Sequence, residues 1–321
     1  MQNKPPSLSI FVLTGNEELN IANCLETVVG WSDDIFVVDS DSTDRTVEIA
    51  KQYTENVVNH SYSDHASQLS WAFENLPFKN SWVLFLDADN CVTPKLKSLI
   101  DSALADDNGK VNGYYCLHKE FFRDKPVLGM KKWWARLVRR EFAAIDNSEL
   151  VDYGIKIQGE IKYLYGAIVE NNLKEKNIDF WIDKHQRFAS RMAAEEILRQ
   201  YGYLKWSVHA KLLGNSDERR VWLKNAWFRM PLFIRPFIYW IYRYVFTGAF
   251  LQGRHGLTFT ILQALWFRLV CDLRVQEYRW MIQEGKLTPQ MLWDRFGSAA
   301  RSKSSFEPIN STVSASKRYN M

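Results

Sequence analysis

The chain of 321 residues lacks several features that would assign it to a common protein class. It has four cysteines, with no CxxC or other metal-ligand spacing, so we expect reduced thiols in a cytosolic chain. It also has no GxGxxG and no GxxxxGK segment. A dinucleotide-binding fold or a P-loop ATPase would therefore lack its phosphate cradle, and any phosphate charge would have to be met by a metal.

Long apolar runs and strong net charge are missing as well. The first nine residues are polar and contain two prolines, which excludes a secretory signal there. No apolar run reaches the ~18 residues of a membrane span. The net charge is +4, which gives no general nucleic-acid footprint. We therefore expect a cytoplasmic protein that does not bind nucleic acid.

The composition is that of a globular chain, 46% hydrophobic and 24% charged. Aromatic residues make up 14%, including 13 tryptophans, and many lie in the second half. We divide the chain into an α/β domain over residues 1–205, a helical region over 206–298 and a Ser-rich tail over 299–321. We expect the tail to be disordered.

Buried-strand patterns alternate with helical patterns over the first hundred residues. The strands are predicted at Leu8–Thr14, 34–39, 56–60 and 82–87, each followed by a stretch with apolar residues at helical spacing. Thr93 and Pro94 are suited to begin the last of these helices. The order predicts an α/β fold, with a mostly parallel sheet covered by helices on both faces.

The chain is organised around the fourth of these strands, Trp82–Asp87. Its apolar run ends in Asp87-Ala88-Asp89, and two closely spaced carboxylates suit Mg²⁺ or Mn²⁺ that also touches phosphate. The alternative is a strand that ends in a solvated turn. Polar residues also follow the first two strands, at Thr14–Glu17 and Asp39–Asp44. The carboxyl ends of parallel strands share one edge, so we expect the three clusters to converge there.

The second half gives weaker signals. A helix is predicted at 180–199, with a basic cluster of Lys184, His185 and Arg187 near its start, which either meets an acceptor phosphate or is simply solvated. Arginines spaced among Trp, Tyr and Phe from residue 218 onward suit helices in a membrane interface. The alternative is that these helices form a second core.

Three segments together resemble family 2 glycosyltransferases of the GT-A fold. They are 8–18, ending in Asn16-Glu17-Glu18, then 37–46 around Asp39 and Asp44, and 84–89. Trp181–Ala189 and the Arg/aromatic region are similar to a bacterial subgroup that builds lipopolysaccharide core or exopolysaccharide. The resemblance implies a nucleotide-diphosphate sugar donor, a glycan or lipid-linked acceptor, and a site peripheral to the inner membrane.

The resemblance also implies roles for individual positions. Thr14, Glu17 and Asp39 would hold the nucleoside, and Gln68 would lie beside the nucleotide. Asp87 and Asp89 would form the DXD-type site for the diphosphate and its divalent metal. Two departures stand out: Asn90 replaces the acidic residue that often follows the triplet, and no His-Glu pair follows the strand that ends near Arg139-Arg140.

Family resemblance and residue chemistry both indicate an inverting transfer. The metal at Asp87 and Asp89 would neutralise charge on the leaving nucleotide, and a carboxylate would take the proton of the acceptor hydroxyl. We assign that base to Glu149, ahead of Glu160 and Asp152, with Glu170 as a further placement.

Two other functions remain open at this point. A sugar nucleotidyltransferase would want a Gly-rich, basic loop after the first strand, where this chain has Thr14-Gly15-Asn16-Glu17. An inactive membrane-bound scaffold would keep the fold without turnover. The segment Gln276–Trp280 matches the QxxRW motif of processive synthases, but it follows the aromatic helices, and a polar helix face explains it better.

Overall fold

The computed structural model describes residues 7–146, 148–151 and 154–297, without the side chains of 130 and 131. The Ser-rich tail and Asp152 therefore lie outside the described residues. The four cysteines are unpaired.

All strands of the described chain lie before residue 171. In chain order they are β1 (Leu8–Thr14), β2 (Ile35–Asp39), β3 (Val57–Asn59), β4 (Trp82–Asp87), β5 (Asn90–Val92), β6 (Val111–Phe122), β7 (Lys125–Arg139), β8 (Ala143–Asp146), β9 (Gly154–Ile157) and β10 (Glu160–Glu170). Eight of them form one sheet in the order β3-β2-β1-β4-β7-β6-β10-β5, and β8 and β9 form a separate hairpin.

Helices fill the connections and the second half. They are α1 (Ile21–Glu26), α2 (Thr46–Ala50), α3 (His65–Asn75), α4 (Pro94–Ala105), α5 (Ile178–Gln200), α6 (Ser216–Arg229), α7 (Arg235–Ile241), α8 (Gly253–Thr260), α9 (Phe267–Gln283) and α10 (Pro289–Phe296). Two π-helical stretches, Tyr242–Phe246 and Ile261–Trp266, interrupt the last group. The predicted cap of α4 is present, because Thr93 accepts a hydrogen bond from the Leu96 amide.

The central strand β1 is buried on both faces, which explains its continuous apolar run. Ile10 and Val12 point into a core shared with α1, α2 and α4. Phe11 and Leu13 point to the opposite face and pack against α3 and the β8–β9 hairpin. The predicted α/β fold with helices on both faces of the sheet is confirmed.

The sheet is parallel through β3, β2, β1 and β4 and mixed beyond. β7 is antiparallel to both β4 and β6, so β6 and β10 again run in the direction of β4. The carboxyl ends of β1, β2, β4, β6 and β10 therefore lie at one edge of the sheet. β5, which follows β4 after a tight turn, pairs antiparallel with β10 and places Asn90 opposite Glu170.

The segment between 146 and 170, poorly periodic in sequence, contains two strands, β9 and β10. β10 leaves Tyr163 and Tyr165 exposed and breaks register between Leu164 and Ala167, so a simple alternation of polar and apolar residues is lost. At this break Gly166 lies so close to α4 that an added Cβ would be 2.5 Å from the Leu96 Cα. Only glycine fits there.

The helices of the second half form a core of their own with α5. Ala194 and Ile197 of α5 pack against Val275 and Tyr278 of α9. At the far end of the β6–β7 hairpin, Phe122 joins a cluster with Trp181 and Phe267. The second-core prediction therefore describes α5, α9 and α10, although α5 lies before the expected boundary at residue 206.

A buried ionic network ties these helices together. The guanidinium of Arg235 in α7 lies 2.7 Å from Asp272 of α9 and 2.8 Å from Glu196 of α5. All three side chains are almost completely buried. Because an unpaired charge is costly in such a place, each helix depends on the other two.

One face of the helical region stays open to solvent. Its exposed apolar patch consists of Ile234, Phe237, Ile238, Ile241, Tyr242, Val245, Phe246, Phe250 and Leu251. The continuous helical stretch Ala249–Gln283 is long and apolar enough to cross a membrane, by length and composition only. No apolar run of membrane-spanning length was predicted from the sequence. Because part of this stretch packs on α5 as a core helix does, the finding is weak support for a span.

Candidate active site

Asp87 ends β4 and meets two cationic or ionisable neighbours. Its carboxylate accepts a 2.9 Å hydrogen bond from Arg136 Nη2 of β7, and His65 Nε2 lies 3.5 Å away. Burial raises the pKa of Asp87, but Arg136 and His65 outweigh that effect and leave the pKa below its ordinary value. Asp87 is therefore an ionised carboxylate already held in position by the protein.

Asp89 lies in the turn between β4 and β5, where the β5–β10 pairing places it near Glu170. It accepts hydrogen bonds from Asn90 (2.8 Å) and Asn172 (3.1 Å). Burial raises the pKa of Asp89 well above its ordinary value, and the charge of Glu170 adds to the effect. Asn90, the departure from the family pattern, thus supports the Asp89 carboxylate with an amide donor.

Glu170 is the third carboxylate of this group. Burial raises its pKa, but His118 opposes that effect, with its Nδ1 3.6 Å from Glu170 Oε2. Lys132 and Lys184 add positive charge, and the net pKa of Glu170 lies below its ordinary value. Asp87, Asp89 and Glu170 therefore interact electrostatically. Of the three, only Asp89 has a pKa above its ordinary value.

This arrangement fits a divalent cation that is completed by a ligand. Across the described ranges, no group of three or more His, Cys, Asp or Glu side chains can hold a metal ion by itself. Asp89 and Asp87 can nevertheless supply one or two carboxylates, and Mg²⁺ in phosphate-binding sites usually takes few protein ligands and keeps waters and phosphate oxygens. A cation would also relieve the charge crowding that raises the pKa of Asp89.

A cavity of about 390 Å³ lies at the ends of β1 and β4. It is lined by Thr14, Glu17, Gln68, Asp87 and Asp89, five residues that the resemblance assigns to the donor. The buried hydroxyl of Thr14 has no hydrogen-bond partner among the described residues, which fits a ligand in this cavity.

The remaining donor-site residues are held by neighbouring loops. Gln68 donates to Ser40 Oγ (2.6 Å) and to the His60 carbonyl (2.7 Å). Glu17 is paired with Lys174, 2.5 Å away. Asp39 accepts a 2.9 Å hydrogen bond from the Ser42 amide and is buried beneath the loop after β2. Asp39 thus stabilises this loop and, unlike the other five residues assigned to the donor, does not line the cavity.

Two further cavities continue from the first. We call the 390 Å³ cavity the donor cavity. A second cavity of about 220 Å³, the connecting space, is lined by His65 and Asp87, which also line the donor cavity, and by Glu170. A cavity of about 630 Å³ shares Glu170 and Trp134 with that connecting space. The three cavities are therefore neighbours: Asp87 lines the first and the second, and Glu170 lines the second and the third.

The largest of the three, which we call the basic cavity, is rich in cations and aromatic rings. Its basic lining residues are Lys132, Lys184, Arg219, Arg220, Lys224, Arg243 and Arg268. Its aromatic lining residues are Phe121, Trp133, Trp134, Phe188, Tyr239 and Phe267. Sheet and helical region both contribute to it.

The four candidate bases are placed very differently. Glu149 is 2% exposed and pairs with Lys224 and Arg220, so its charge is used inside the protein. Glu160 begins β10, on the order of 30 Å along the strand from Glu170. Asp152 lies outside the described residues. Glu170 lines both the connecting space and the basic cavity. The geometry therefore favours Glu170 over our first choice, Glu149.

The basic cluster on α5 is divided by the helix. Lys184 lines the basic cavity and pairs with Glu175 at 2.5 Å. His185 is stacked on Trp181 with ring centroids 3.6 Å apart, and burial lowers its pKa to about 4, so it is a neutral aromatic contact. Arg187 is exposed to solvent. Of the three, Lys184 and His185 reach the cavity.

Three residues near the candidate site were not predicted from the sequence: Arg136 and His65, which contact Asp87, and Glu120, which lines the basic cavity. Arg136 reaches Asp87 only because β7 is antiparallel to β4, and no local spacing shows such a pairing. Glu120 ends the regular part of β6, opposite Glu170 in the register of β10. A search for charged residues at the ends of predicted strands would have found Glu120, provided that the whole length of β6 had been predicted.

Comparison with known proteins supports the family. Residues 9–154 match the model of Glycosyl transferase family 2. A glycosyltransferase of Rickettsia bellii is 36% identical over 146 residues, covering 44% of this chain and 49% of that protein. The lipopolysaccharide core biosynthesis glycosyltransferase of Rhizobium meliloti is 25% identical over 162 residues, covering 48% and 58%. The resemblance stated from the sequence is confirmed.

Coverage is partial in each comparison. The chain spans 49% and 58% of the length of these two relatives, and 34% of a Rickettsia typhi glycosyltransferase to which it is 37% identical over 101 residues. Glucosyl-3-phosphoglycerate synthase from Mycobacterium tuberculosis, solved with Mg²⁺ and UDP, is 22% identical over 37% of this chain and 44% of its own, with a TM-score of 0.29.

Proposed function

We propose that this chain, whose residues 9–154 match the model of Glycosyl transferase family 2, transfers a sugar from a nucleotide-diphosphate donor to an acceptor of the cell envelope. One observation carries the proposal. The donor cavity, the connecting space and the basic cavity lie next to one another, with Asp87 lining the first two and Glu170 lining the last two. A donor in the first cavity and an acceptor in the last would meet between these carboxylates.

In this mechanism the donor lies in the cavity lined by Thr14, Glu17 and Gln68. Asp89 and Asp87 hold a divalent metal, Mg²⁺ or Mn²⁺, which supplies charge neutralisation for the diphosphate. Arg136 and His65 fix the Asp87 carboxylate, so that little reorganisation accompanies the reaction.

Glu170 acts as the general base. An acceptor hydroxyl in the connecting space forms a bond to the anomeric carbon while its proton passes to a Glu170 carboxylate oxygen. The bond from that carbon to the diphosphate breaks, and its electron pair stays on the leaving oxygen. Attack opposite the leaving group inverts the anomeric centre. The low pKa of Glu170 keeps the base ionised at neutral pH before the acceptor arrives.

The acceptor end is proposed to face the cytoplasmic membrane. The exposed apolar patch lies on the helices that also line the basic cavity. Hydrogen bonds from Gln252 to Pro126 and from Leu128 to Gln252 hold the β6–β7 hairpin beside this patch. Exposed Arg123 and Lys125 on the hairpin suit anionic headgroups. The name of the Rhizobium relative favours a lipopolysaccharide-type acceptor.

The donor site is tested by thermal unfolding with UDP, GDP, ADP and CMP, each with and without Mn²⁺. A ligand that binds only the native state raises the midpoint by mass action. We expect one diphosphate to raise it in a metal-dependent manner. We expect Asp89→Asn to abolish that shift, because it removes a carboxylate that is proposed to bind the metal.

Asp33→Asn is the matched control, since Asp33 is an exposed carboxylate before β2 and away from the donor cavity. It should leave the nucleotide shift unchanged. Absence of any metal-dependent shift, or its persistence in Asp89→Asn, would remove the proposed metal role and return weight to the scaffold interpretation of the fold.

A further inference from the structure

Arg243 is a buried cation that forms no ion pair with the residues the structure describes. It lies in the π-helical stretch after α7, is 7% exposed and lines the basic cavity. Among the described residues no carboxylate lies within 4.0 Å of its guanidinium, which instead lies 6.0 Å from the centroid of the Tyr239 ring. Glu120 acts on it from beyond ion-pair distance.

Arg268 of α9 is part-buried, lines the same cavity and likewise forms no ion pair within the described ranges. Its guanidinium stacks against Trp227, Tyr239 and Phe267 at 5.2–5.6 Å from the ring centroids. Its Nη1 lies 3.5 Å from Met192 Sδ, and its buried Nε has no hydrogen-bond partner in the described part of the chain. Tyr239 is the ring that both arginines share.

Two other cations of the region are matched by acids. Arg235 lies between Asp272 and Glu196, and Lys184 pairs with Glu175. Buried charges are normally paired in this way, because an isolated one costs several kcal/mol or more. Arg243 and Arg268 depart from the rule together and on one cavity wall. Their donors are therefore available to a group that enters the cavity.

We propose that Arg243 and Arg268 form a phosphate-binding subsite for the acceptor. The inference rests on the proposed function, because it assigns the basic cavity to the acceptor. Planar guanidinium forks match phosphate oxygens, and the aromatic stacking keeps the Arg268 fork oriented. The acceptor is thus a phosphate-bearing molecule whose hydroxyl reaches Glu170 while its phosphate is held by the helical region.

The phosphate has two possible sources, a soluble phosphorylated sugar or a phospholipid headgroup. One arm of the test therefore titrates sn-glycerol 3-phosphate and inorganic phosphate against tryptophan fluorescence, since Trp133 and Trp134 line the cavity. The other arm measures cosedimentation with vesicles of phosphatidylcholine, with and without phosphatidic acid. Binding in the first arm identifies a soluble source, and binding in the second a lipid source.

Arg243→Gln and Arg268→Gln should each weaken phosphate binding at least tenfold, and Arg243→Lys should recover part of it. Arg254→Gln is the matched control, because Arg254 is an exposed arginine on α8. Equal losses in Arg243→Gln and Arg254→Gln, or no phosphate-dependent signal in either arm, would overturn the proposal.

The nucleotide assay separates this proposal from the function beneath it. Arg243→Gln should keep the full metal-dependent midpoint shift with the preferred nucleoside diphosphate, which also shows that the variant is folded. A normal nucleotide shift without phosphate binding rejects the subsite and leaves the transferase in place. If no nucleoside diphosphate raises the unfolding midpoint of the wild-type chain, the proposed transferase function itself is rejected.

Discussion

The sheet region and the helical region place opposite charges in neighbouring cavities. The sheet edge has an excess of negative charge, and the helical wall has an excess of positive charge. At the sheet edge, Asp89 and Glu170 crowd negative charge, and the pKa of Asp89 rises in response. In the helical region, Arg243 and Arg268 line the cavity, and neither forms an ion pair with a described carboxylate. The difference suits a cation at the proposed donor site and an anion at the proposed acceptor site.

The largest expected effect sharpens the comparison at Glu170. Glu170→Gln removes the proposed base and should lower the turnover of sugar transfer by about 10²–10⁴-fold. Metal-dependent nucleotide binding should persist, because Asp89 and Asp87 remain. The two readouts are product formation and the nucleotide-induced midpoint shift.

Glu149→Gln is the matched variant of a carboxylate that we place in an internal ion cluster. It removes the buried acid that pairs with Lys224 and Arg220, which keep Glu195 and Asp217 as further partners, and should cost about 1–3 kcal/mol of stability. At a temperature where the variant is folded, its turnover should stay near that of the wild type. A folded Glu149→Gln protein without turnover, beside an active Glu170→Gln protein, would reverse our base assignment.

Breaking the helical region should be nearly as severe. Arg235→Met leaves Asp272 and Glu196 buried without their shared cation, which should cost about 3–5 kcal/mol in urea unfolding. Arg274→Gln is its control, since the Arg274–Glu277 pair is exposed and worth about 0–1 kcal/mol. Similar losses in the two variants would show that the buried network does not hold the helices together.

The exposed patch should affect membrane binding and leave stability almost unchanged. The triple change Phe237→Ser, Phe246→Ser and Leu251→Ser should weaken binding to phosphatidylglycerol vesicles at least tenfold, because each apolar side chain contributes up to about 1.5–3 kcal/mol when buried. Leu213→Ser is the control, since Leu213 is 98% exposed but lies outside the patch. Undiminished vesicle binding by the triple variant would argue against the interfacial assignment.

The smallest expected effect is a change in the pH dependence of stability. Burial raises the pKa of Glu120 from 4.5 to about 7, with Lys132 partly opposing it. Between these values the folded state holds a proton that the unfolded chain has lost, so this carboxyl makes stability fall as the pH rises toward 7.

Glu120→Gln should flatten that decline and stabilise the protein at pH 8 relative to the wild type by roughly 1–2 kcal/mol. At pH 4 the two proteins should unfold alike, because Glu120 is then protonated in both states. Urea unfolding between pH 4 and pH 8 measures the difference. If the wild type were instead more stable than Glu120→Gln by an amount that grows with pH, the protein would stabilise Glu120 in its ionised form.

Local pattern was enough to predict much of the sheet region. The four parallel strands, the Thr93 cap and the placement of Asp87 and Asp89 at a strand end all follow from runs of a few residues. The partners of those acids do not. Glu170 meets Asp89 because β5 and β10 pair across about 80 residues of sequence, and Arg136 meets Asp87 across an antiparallel pairing.

The helical region was harder to read for a related reason. Arginines among aromatic residues look alike in sequence whether they face lipid, an acid or a ligand. Arg235, Arg243 and Arg268 share that local setting, yet Arg235 is neutralised by two carboxylates and the others line a cavity. Only the packing of α5, α7 and α9 distinguishes them.

The Arg235 network also sets an order of events during synthesis. Glu196 leaves the ribosome about 75 residues before Asp272, a delay of roughly 4–15 s at ordinary translation rates. All strands of the sheet have emerged by then, so the donor site can fold while α5 still waits for its partners. The nascent chain can therefore form the donor cavity before the helical wall of the basic cavity, and in a chain halted in this interval α5 lacks the packing of α7 and α9.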